Sequence, residues 1–222
     1  MKDFSIPGVF RETKPSTEPT KDNSAATLTR TPTPGYPIHM GPHTIALDRF
    51  KFDPMIIKNR WLLLAAGDFK PGQAKGAFKP KPYNAMTISW ASVGQIWNKP
   101  FFQIVVRPSR YTYGLLEKHD GFTLSVFPAA LKPALNLLGS RSGRDGDKIA
   151  ASGLHPIASK LVSAPSFEEA ELVVECRKIY WQDIDPRHFL DPSVEEHYPK
   201  SDYHRLYFGE ILAVQGVDAY RA

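Results

Sequence analysis

The feature that most constrains the fold of this chain is a succession of short strand-like runs between residues 60 and 220. Apolar residues in these runs alternate or follow one another without a break, and segments rich in proline, glycine and charge separate them. This pattern predicts strands over 60–67, 84–94, 101–108, 122–128, 171–181 and 205–220. The run at 101–108 is continuously apolar, which is typical of a strand covered on both faces.

Helices are predicted only over 111–121 and 129–139, where each candidate segment ends at a glycine. Twenty prolines among 222 residues argue against a helical bundle, because proline breaks helix interiors. Since strands and helices do not alternate regularly, the order favours an antiparallel barrel over a parallel sheet. We therefore expect a mainly β fold with a few short helices packed on it.

Two regions are predicted along the chain. Residues 1–45 contain seven prolines and eight threonines but few apolar residues, which is typical of an extended arm. Such an arm is either a dispensable tail or a segment that lies across a partner surface, and the sequence leaves both alternatives open. Residues 46–222 are expected to form the globular domain.

The composition excludes several classes of protein. The net charge is +5, and this charge is the only feature that would favour nucleic-acid binding. Because the basic residues are spread along the chain, we do not predict a nucleic-acid-binding protein. Cys176 is the single cysteine, and CxxC and HExxH motifs are absent, so we expect no metal site. The first thirty residues lack an apolar signal region, and the run at 61–66 is too short to span a bilayer. We expect a soluble cytoplasmic protein that does not associate with membranes.

The stretch NAMTISW, residues 84–90, reads as a strand with two different faces. One face is predicted to pack into the core and carries Asn84, Met86, Ile88 and Trp90. The other face presents only small side chains and hydroxyls and carries Ala85, Thr87, Ser89 and Ala91. A face without bulk leaves room for another group.

The stretch RPSRYTY, residues 107–113, predicts an anion site. Arg107 ends a strand, Ser109 is the expected N-cap of the next helix, and Arg110 lies in its first turn. A helix N-terminus offers unpaired N–H groups and positive potential, and two arginines and the hydroxyl of Thr112 add to it. An ordinary cap with two solvated arginines is an equally acceptable interpretation of the spacing.

Two further features are weaker. The segment GSRSGRDGDK, residues 139–148, is rich in glycine and charge, but it lacks the GxxxxGK[ST] pattern, so spacing alone favours a solvated connector. His204 precedes a predicted strand, and a lone histidine is more often structural than functional. Neither a GxSxG nor a GxGxxG motif occurs, so an acyl-transfer nucleophile and a Rossmann site are not indicated.

Three segments together resemble the flavin reductase-like proteins of the flavoredoxin type, which are FMN-binding split barrels. They are residues 83–128, which begin YNAMTISW and continue through RPSRYTY, then LLGSRSGRDGDK, then YHRLYFGEI. The resemblance covers about residues 55–215 and implies a Greek-key-like antiparallel split barrel. It leaves the arm, and the loop at 183–200, without a match.

The resemblance also implies the site. The strand from Asn84 to Trp90 would lie along the flavin, the stretch from Arg107 to Thr112 would take the FMN phosphate and ribityl chain, and the glycine-rich loop would lie nearby. The residues expected at the non-covalent FMN site are Asn84, Thr87, Ser89, Trp90, Arg107, Ser109, Arg110, Tyr111, Thr112, Ser142 and Lys148.

By the same resemblance, we expect a homodimeric oxidoreductase, an NAD(P)H:flavin reductase-like enzyme with NAD(P)H as the reductant. His204 is the candidate catalytic residue, because an imidazole beside the flavin would contact the nicotinamide or stabilise charge. Two alternatives remain: an FMN-containing electron carrier that serves a redox partner protein, and a non-catalytic ligand-binding barrel.

Overall fold

The computed structural model describes residues 42–72 and 81–222. The ten strands in these ranges are β1 (His43–Ile45), β2 (Leu62–Gly67), β3 (Tyr83–Ile88), β4 (Ala91–Ile96), β5 (Lys99–Val106), β6 (Gly121–Val126), β7 (Pro156–Ile157), β8 (Ser166–Phe167), β9 (Leu172–Asp183) and β10 (Arg205–Gly216). The four α-helices are α1 (Met55–Asn59), α2 (Tyr111–Lys118), α3 (Lys132–Ser140) and α4 (Lys148–Ser152). Short 3-10 helices occupy Leu47–Arg49, Ala129–Leu131, Pro186–His188, Pro192–His197 and Asp218–Tyr220.

Eight of these strands form one antiparallel sheet in the order β3-β2-β6-β9-β10-β5-β4, with β1 paired to β10 beyond the end of β5. β9 and β10 pair along nearly their whole length, from Arg205 opposite Asp183 to Gly216 opposite Leu172. β7 and β8 form a separate small hairpin. The predicted antiparallel, mainly β architecture is therefore observed.

The sheet curls because its two end strands are neighbours in the chain. β3 and β4 lie at opposite ends of the strand order, yet only Ser89 and Trp90 separate them. Seven flat strands would hold their ends about 29 Å apart, at about 4.8 Å per strand. Three peptide steps reach at most about 11 Å. The two end strands, β3 and β4, must therefore approach each other at Ser89–Trp90. These two described strands do not pair with each other there.

Two buried clusters fill the two sides of the curled sheet. β2 serves both, because Leu62, Leu64 and Ala66 point into one cluster while Leu63 and Ala65 point into the other. The first cluster lies inside the curl, with residues from all the long strands. The second lies between the sheet and helices α3 and α4, with Leu135, Leu138 and Ile149 from the helices.

Two expectations about burial are wrong. Strand β5 is not covered on both faces, because only its inward residues Phe102, Ile104 and Val106 are buried and the alternate ones are partly exposed. Trp90 does not pack into the core, since 41% of its surface is exposed. It follows β3 at the point where the chain turns from one end of the sheet to the other, so the alternation of the strand no longer applies to it.

The predicted arm lies mostly outside the described residues. Its last residues are described, and His43–Ile45 pair with Val214–Gly216 as strand β1. The division at residue 45 otherwise stays a prediction. Within the two described ranges, no helix combines the length and the apolar character that a membrane crossing requires.

Gly209 tests how tightly the sheet is packed across the curl. A Cβ atom at this position would lie 2.4 Å from Cζ of Phe122 and 2.8 Å from Cβ of Cys176. We expect Gly209→Ala to lower the free energy of unfolding by about 1–3 kcal/mol, because the buried ring has no room to move away. Urea denaturation measures the change.

Gly114 supplies the matched control. It lies in α2, and nothing stands within 4 Å of the Cβ that alanine would add. Gly114→Ala should raise the free energy of unfolding by about 0.5–1 kcal/mol, because alanine favours the helix. Equal effects of the two substitutions would contradict the close contact at Gly209.

Candidate functional site

The turn between β5 and α2 is the centre of the predicted anion site. The N–H of Arg110 donates to the carbonyl of Arg107, at 3.0 Å, and α2 begins at Tyr111. The N-cap is Arg110, whose side chain makes no capping hydrogen bond. The prediction that Ser109 is the N-cap is therefore wrong, because its hydroxyl donates instead to Oδ2 of Asp202, at 3.2 Å.

Arg107 is held by a segment to which the sequence assigned no function. Its Nη1 lies 2.5 Å from Oδ1 of Asp202, and its Nη2 donates to the carbonyl of His197 at 2.7 Å. The guanidinium also lies over the ring of Tyr198, 4.9 Å from the ring centre. The orientation of Arg107 is thus fixed before any ligand binds.

Arg110 differs from Arg107. Its side chain is exposed, and within the described part of the chain it makes no hydrogen bond or ion pair. Its charge nevertheless acts on its neighbours, since it contributes to the lowered pKa values of Lys148 and His204. Arg110 therefore offers an uncompensated positive charge at the N-terminus of α2.

The glycine-rich loop packs directly on this helix end. A Cβ at Gly143 would lie 2.5 Å from Oδ1 of Asn84 and 2.8 Å from Cδ1 of Tyr111, so glycine is required for the contact. Asn84 is buried beneath the loop, and its Nδ2 donates to Oγ1 of Thr112 at 2.8 Å. The structure thus brings three predicted residues, Asn84, Tyr111 and Thr112, together under the loop.

Lys148 closes the other end of the loop. It is buried, and its Nζ donates to the carbonyls of Leu138 and Arg141, at 2.7 and 2.9 Å. Burial, and then the charge of Arg110, lower the pKa of Lys148 to about 8. Lys148 therefore remains mainly protonated at neutral pH and stabilises the C-terminal end of α3.

Arg144 also lies at the N-terminus of α2, and the sequence did not single it out. Its Nη1 donates to the carbonyl of Ser109 at 3.2 Å, and its guanidinium lies 5.3 Å from the ring centre of Tyr111. The predicted residue Ser142 accepts a hydrogen bond from the N–H of Arg144, at 3.1 Å. In the sequence, Arg144 is the second arginine of GSRSGR, and nothing in the spacing of this motif distinguishes it from an ordinary solvated arginine.

The small face of β3 is covered by a helix. The hydroxyl of Thr87 donates to the carbonyl of Leu135 in α3 at 2.5 Å, and a Cβ at Gly139 would lie 3.2 Å from Thr87. Ala85 is fully buried in the same cluster as α3. The expectation of free space beside Ala85 and Thr87 is therefore wrong, because the small side chains let α3 approach. Ser89, beyond the strand end, is exposed.

Trp90 lies against two histidines at the opening between β3 and β4. Its ring centre is 5.2 Å from that of His197 and 5.1 Å from that of His204. His204 is buried, and its Nδ1 lies 2.9 Å from the hydroxyl of Tyr198. Burial, and then the charge of Arg107, lower the pKa of His204 to about 4. Its imidazole is therefore neutral near pH 7 and supplies no positive charge.

Residues 71–221 match the family model described as a flavin reductase like domain. An uncharacterized protein of Archaeoglobus fulgidus is 28% identical over 146 residues, which are 66% of this chain and 71% of that protein. Among solved structures, the FMN-binding domain of a flavin reductases-like enzyme from Shewanella baltica OS155 superposes with a TM-score of 0.57. It is 15% identical, and the match covers 81% of this chain and 79% of that one.

Flavoredoxin of Desulfovibrio vulgaris (Miyazaki F) superposes with a TM-score of 0.53 at 20% identity, over 86% of this chain and 78% of that one. Component B of nitrilotriacetate monooxygenase from Bacillus cereus superposes with a TM-score of 0.53 at 16% identity, over 72% of this chain and 71% of that one. At these identities the likeness concerns the fold. The predicted split barrel with a few short helices is confirmed.

The burial of neutral His204 predicts a loss of stability in acid. Its pKa is about 4 in the folded protein, against an ordinary value of about 6.5. Between these values the unfolded chain binds a proton that the folded protein does not, so stability falls as the pH falls from 6.5 to 4. We expect wild type to lose about 2 kcal/mol more than His204→Gln between pH 7.5 and 4.5.

Urea denaturation of both proteins across this pH range measures the difference. His188→Gln, which replaces an exposed histidine, should follow the wild-type profile. If His204→Gln also followed it, His204 would titrate normally in the folded protein.

Proposed function

Because the chain belongs to the flavin reductase-like family, we propose that it binds FMN non-covalently and acts as an NAD(P)H-dependent flavin reductase-like oxidoreductase. The observation that carries this proposal is the exposed Arg110 at the N-terminus of α2, which has no hydrogen-bond or ion-pair partner among the described residues. Such a helix end favours an anion, and an arginine adds charge-assisted hydrogen bonds to it.

The residues around this helix end fit a phosphate. Asp202 and the carbonyl of His197 use two donors of Arg107, and a guanidinium has five, so donors remain for a ligand. Arg144 and Lys148 add positive charge on the loop side. We propose that Arg110, Arg107 and the first N–H groups of α2 hold the phosphate of FMN, with Ser109, Tyr111 and Thr112 shaping the turn.

The flavin ring is assigned to the opening between β3 and β4. Ser89 and Trp90 are exposed there, and Asn84 and Ser142 lie on the side of the glycine-rich loop. We do not assign Thr87 to the ring, since its hydroxyl is bonded to α3. When bound, FMN would supply the hydride- and electron-transfer chemistry, so no side chain need act as a general acid or base.

His204 fits a supporting role in this proposal. Its neutral imidazole holds Trp90 and contacts the hydroxyl of Tyr198. We propose that it positions Trp90 beside the flavin, where a nicotinamide would also lie, rather than stabilising charge as a cation.

The proposal is tested first by binding. Arg110→Ala should weaken FMN binding by about 1.5–3 kcal/mol, the scale of a charged hydrogen bond. Riboflavin, which lacks the phosphate, should bind the variant and wild type equally. Fluorescence titration of flavin-free protein measures both affinities. Arg187→Ala, which removes an exposed arginine paired with Asp185, is the control and should change neither.

Turnover is measured on the same preparation. Wild type with FMN should oxidise NADH or NADPH and reduce the bound flavin in an anaerobic stopped-flow experiment. FMN binding without reduction by either nicotinamide would favour the alternative of an electron carrier that serves a redox partner protein. Absence of FMN binding would leave only a non-catalytic ligand-binding barrel.

We also propose a homodimer, as the resemblance implies. An exposed aromatic cluster supports it. The cluster lies on the outer face of β9 and β10 and in the turn between β4 and β5, with Trp97 and Tyr180 exposed by 58% and 42%. Phe208 lies between them, 6.5 Å and 5.7 Å from their ring centres. Aromatic clusters of this kind are typical of protein interfaces.

Sedimentation velocity tests the dimer. The double substitution Trp97→Ser and Phe208→Ser should shift the protein toward monomer, because it removes two of the three rings of the cluster. Leu190→Ser, which removes a single leucine exposed by 99%, should leave the sedimentation coefficient unchanged. A monomeric wild type, or a double variant that remains dimeric, would contradict the assignment of this face.

A further inference from the structure

Asp202 contacts the anion-binding turn at two separate points. Its Oδ1 lies 2.5 Å from Nη1 of Arg107, and its Oδ2 accepts a hydrogen bond from Ser109 at 3.2 Å. The two side chains of the ion pair are partly buried, with 21% exposed for Arg107 and 25% for Asp202. One carboxylate therefore ties both the start and the middle of the turn 107–110 to the end of the segment 184–204.

The remaining contacts of this segment act on the same arginine. The carbonyl of His197 accepts from Nη2 of Arg107, and the ring of Tyr198 lies against its guanidinium. Tyr198 in turn contacts buried His204. Asp202 is thus one point of a packed assembly and not an isolated surface charge.

Asp202 does not exhaust the donors of Arg107, and it forms no hydrogen bond or ion pair with Arg110. Burial alone would raise the pKa of Asp202, but its hydrogen bond with Arg107 and the charge of that arginine lower it, so the carboxylate stays ionised at neutral pH. The ion pair therefore persists under the conditions in which an anion would bind.

We propose that Asp202 is a positioning residue that orders the turn 107–110 for a phosphate ligand. This inference rests on the proposed function, in which the turn holds the phosphate of FMN. Fixing a long arginine and the residue before the helix N-terminus in advance removes an entropy cost from ligand binding. The hydrogen-bond donors of the turn are then already oriented toward the phosphate when it binds.

Two effects of removing Asp202 oppose each other. Loss of order in the turn weakens phosphate binding, whereas loss of a nearby negative charge strengthens it. The charge effect is screened by salt, and the ordering effect is not. At 0.5 M NaCl we expect Asp202→Ala to weaken FMN binding by about 5- to 30-fold while riboflavin affinity changes by less than twofold. Asp202→Asn, which keeps one acceptor oxygen, should lose less.

A variant that lacks the side chains of Arg107 and Ser109 tests whether Asp202 acts through these two residues. In the double variant Arg107→Ala and Ser109→Ala, adding Asp202→Ala should change FMN affinity by less than twofold, because nothing remains for the carboxylate to hold. If the third substitution weakens FMN as much as it does in wild type, Asp202 acts elsewhere and the proposal fails. Tighter FMN binding by Asp202→Ala at 0.5 M NaCl would make the carboxylate a competitor and would also overturn it.

A second measurement does not depend on flavin. Hydrogen–deuterium exchange of flavin-free protein should be faster in residues 107–113 of Asp202→Ala than of wild type, with the exchange of β6 unchanged. If wild type binds no FMN but this difference appears, the proposed function fails while the ordering role stands. Unchanged exchange in 107–113 would overturn the ordering role, and faster exchange throughout the barrel would make Asp202 a residue of general stability.

Discussion

The connection between β3 and β4 is the constraint on which the rest of the structure depends. Because only Ser89 and Trp90 separate the two end strands of the sheet, the sheet must curl until its ends meet. The curl creates an inside, which the apolar residues of the long strands fill. It also leaves a seam where strands meet without pairing, and Trp90 lies exposed at that seam.

The same curl leaves part of the sheet with two buried faces. Leu63 and Ala65 of β2 therefore need a second layer, which α3 and α4 provide. The small residues Ala85 and Thr87 allow α3 to lie close to the sheet, and Lys148 bonds to carbonyls near its end. The glycine-rich loop that joins α3 to α4 is thereby placed over Asn84 and the N-terminus of α2. Packing of the second layer thus builds one wall of the candidate site.

Charge in the site is only partly compensated. Arg107 has a partner in Asp202, but Arg110 has none within the described residues, and its charge contributes to lowering the pKa of Lys148. The like charges of Arg110 and Lys148 repel one another, and a bound anion would relieve the repulsion. The turn-rich segment 184–204 adds the counter-charge and the aromatic contacts that orient Arg107 and Trp90. Positive potential and preorganisation therefore come from different parts of the chain.

The sequence by itself determined the local elements. Its alternating runs located most long strands and both longer helices, since side-chain periodicity follows directly from backbone geometry. The prediction of one strand over 84–94 is wrong, because the chain turns at Ser89–Trp90 and the run forms two strands, β3 and β4. The stretch RPSRYTY also located Arg110 beside a helix N-terminus, because a cap and its neighbours lie within a few residues. The resemblance added the family, but not the contacts that these residues make.

Only the tertiary structure decided which groups meet over long sequence distances. The partners of Arg107 and Thr87 lie 95 and 48 residues away, and no local pattern records such pairs. For this reason the sequence predicted a free small face of β3, whereas α3 covers that face in the structure. It also predicted that Ser109 caps α2, whereas the hydroxyl of Ser109 donates to Asp202. Burial, which sets the pKa of His204, also depends on the whole fold, since it arises from the sum of all elements packed around a group.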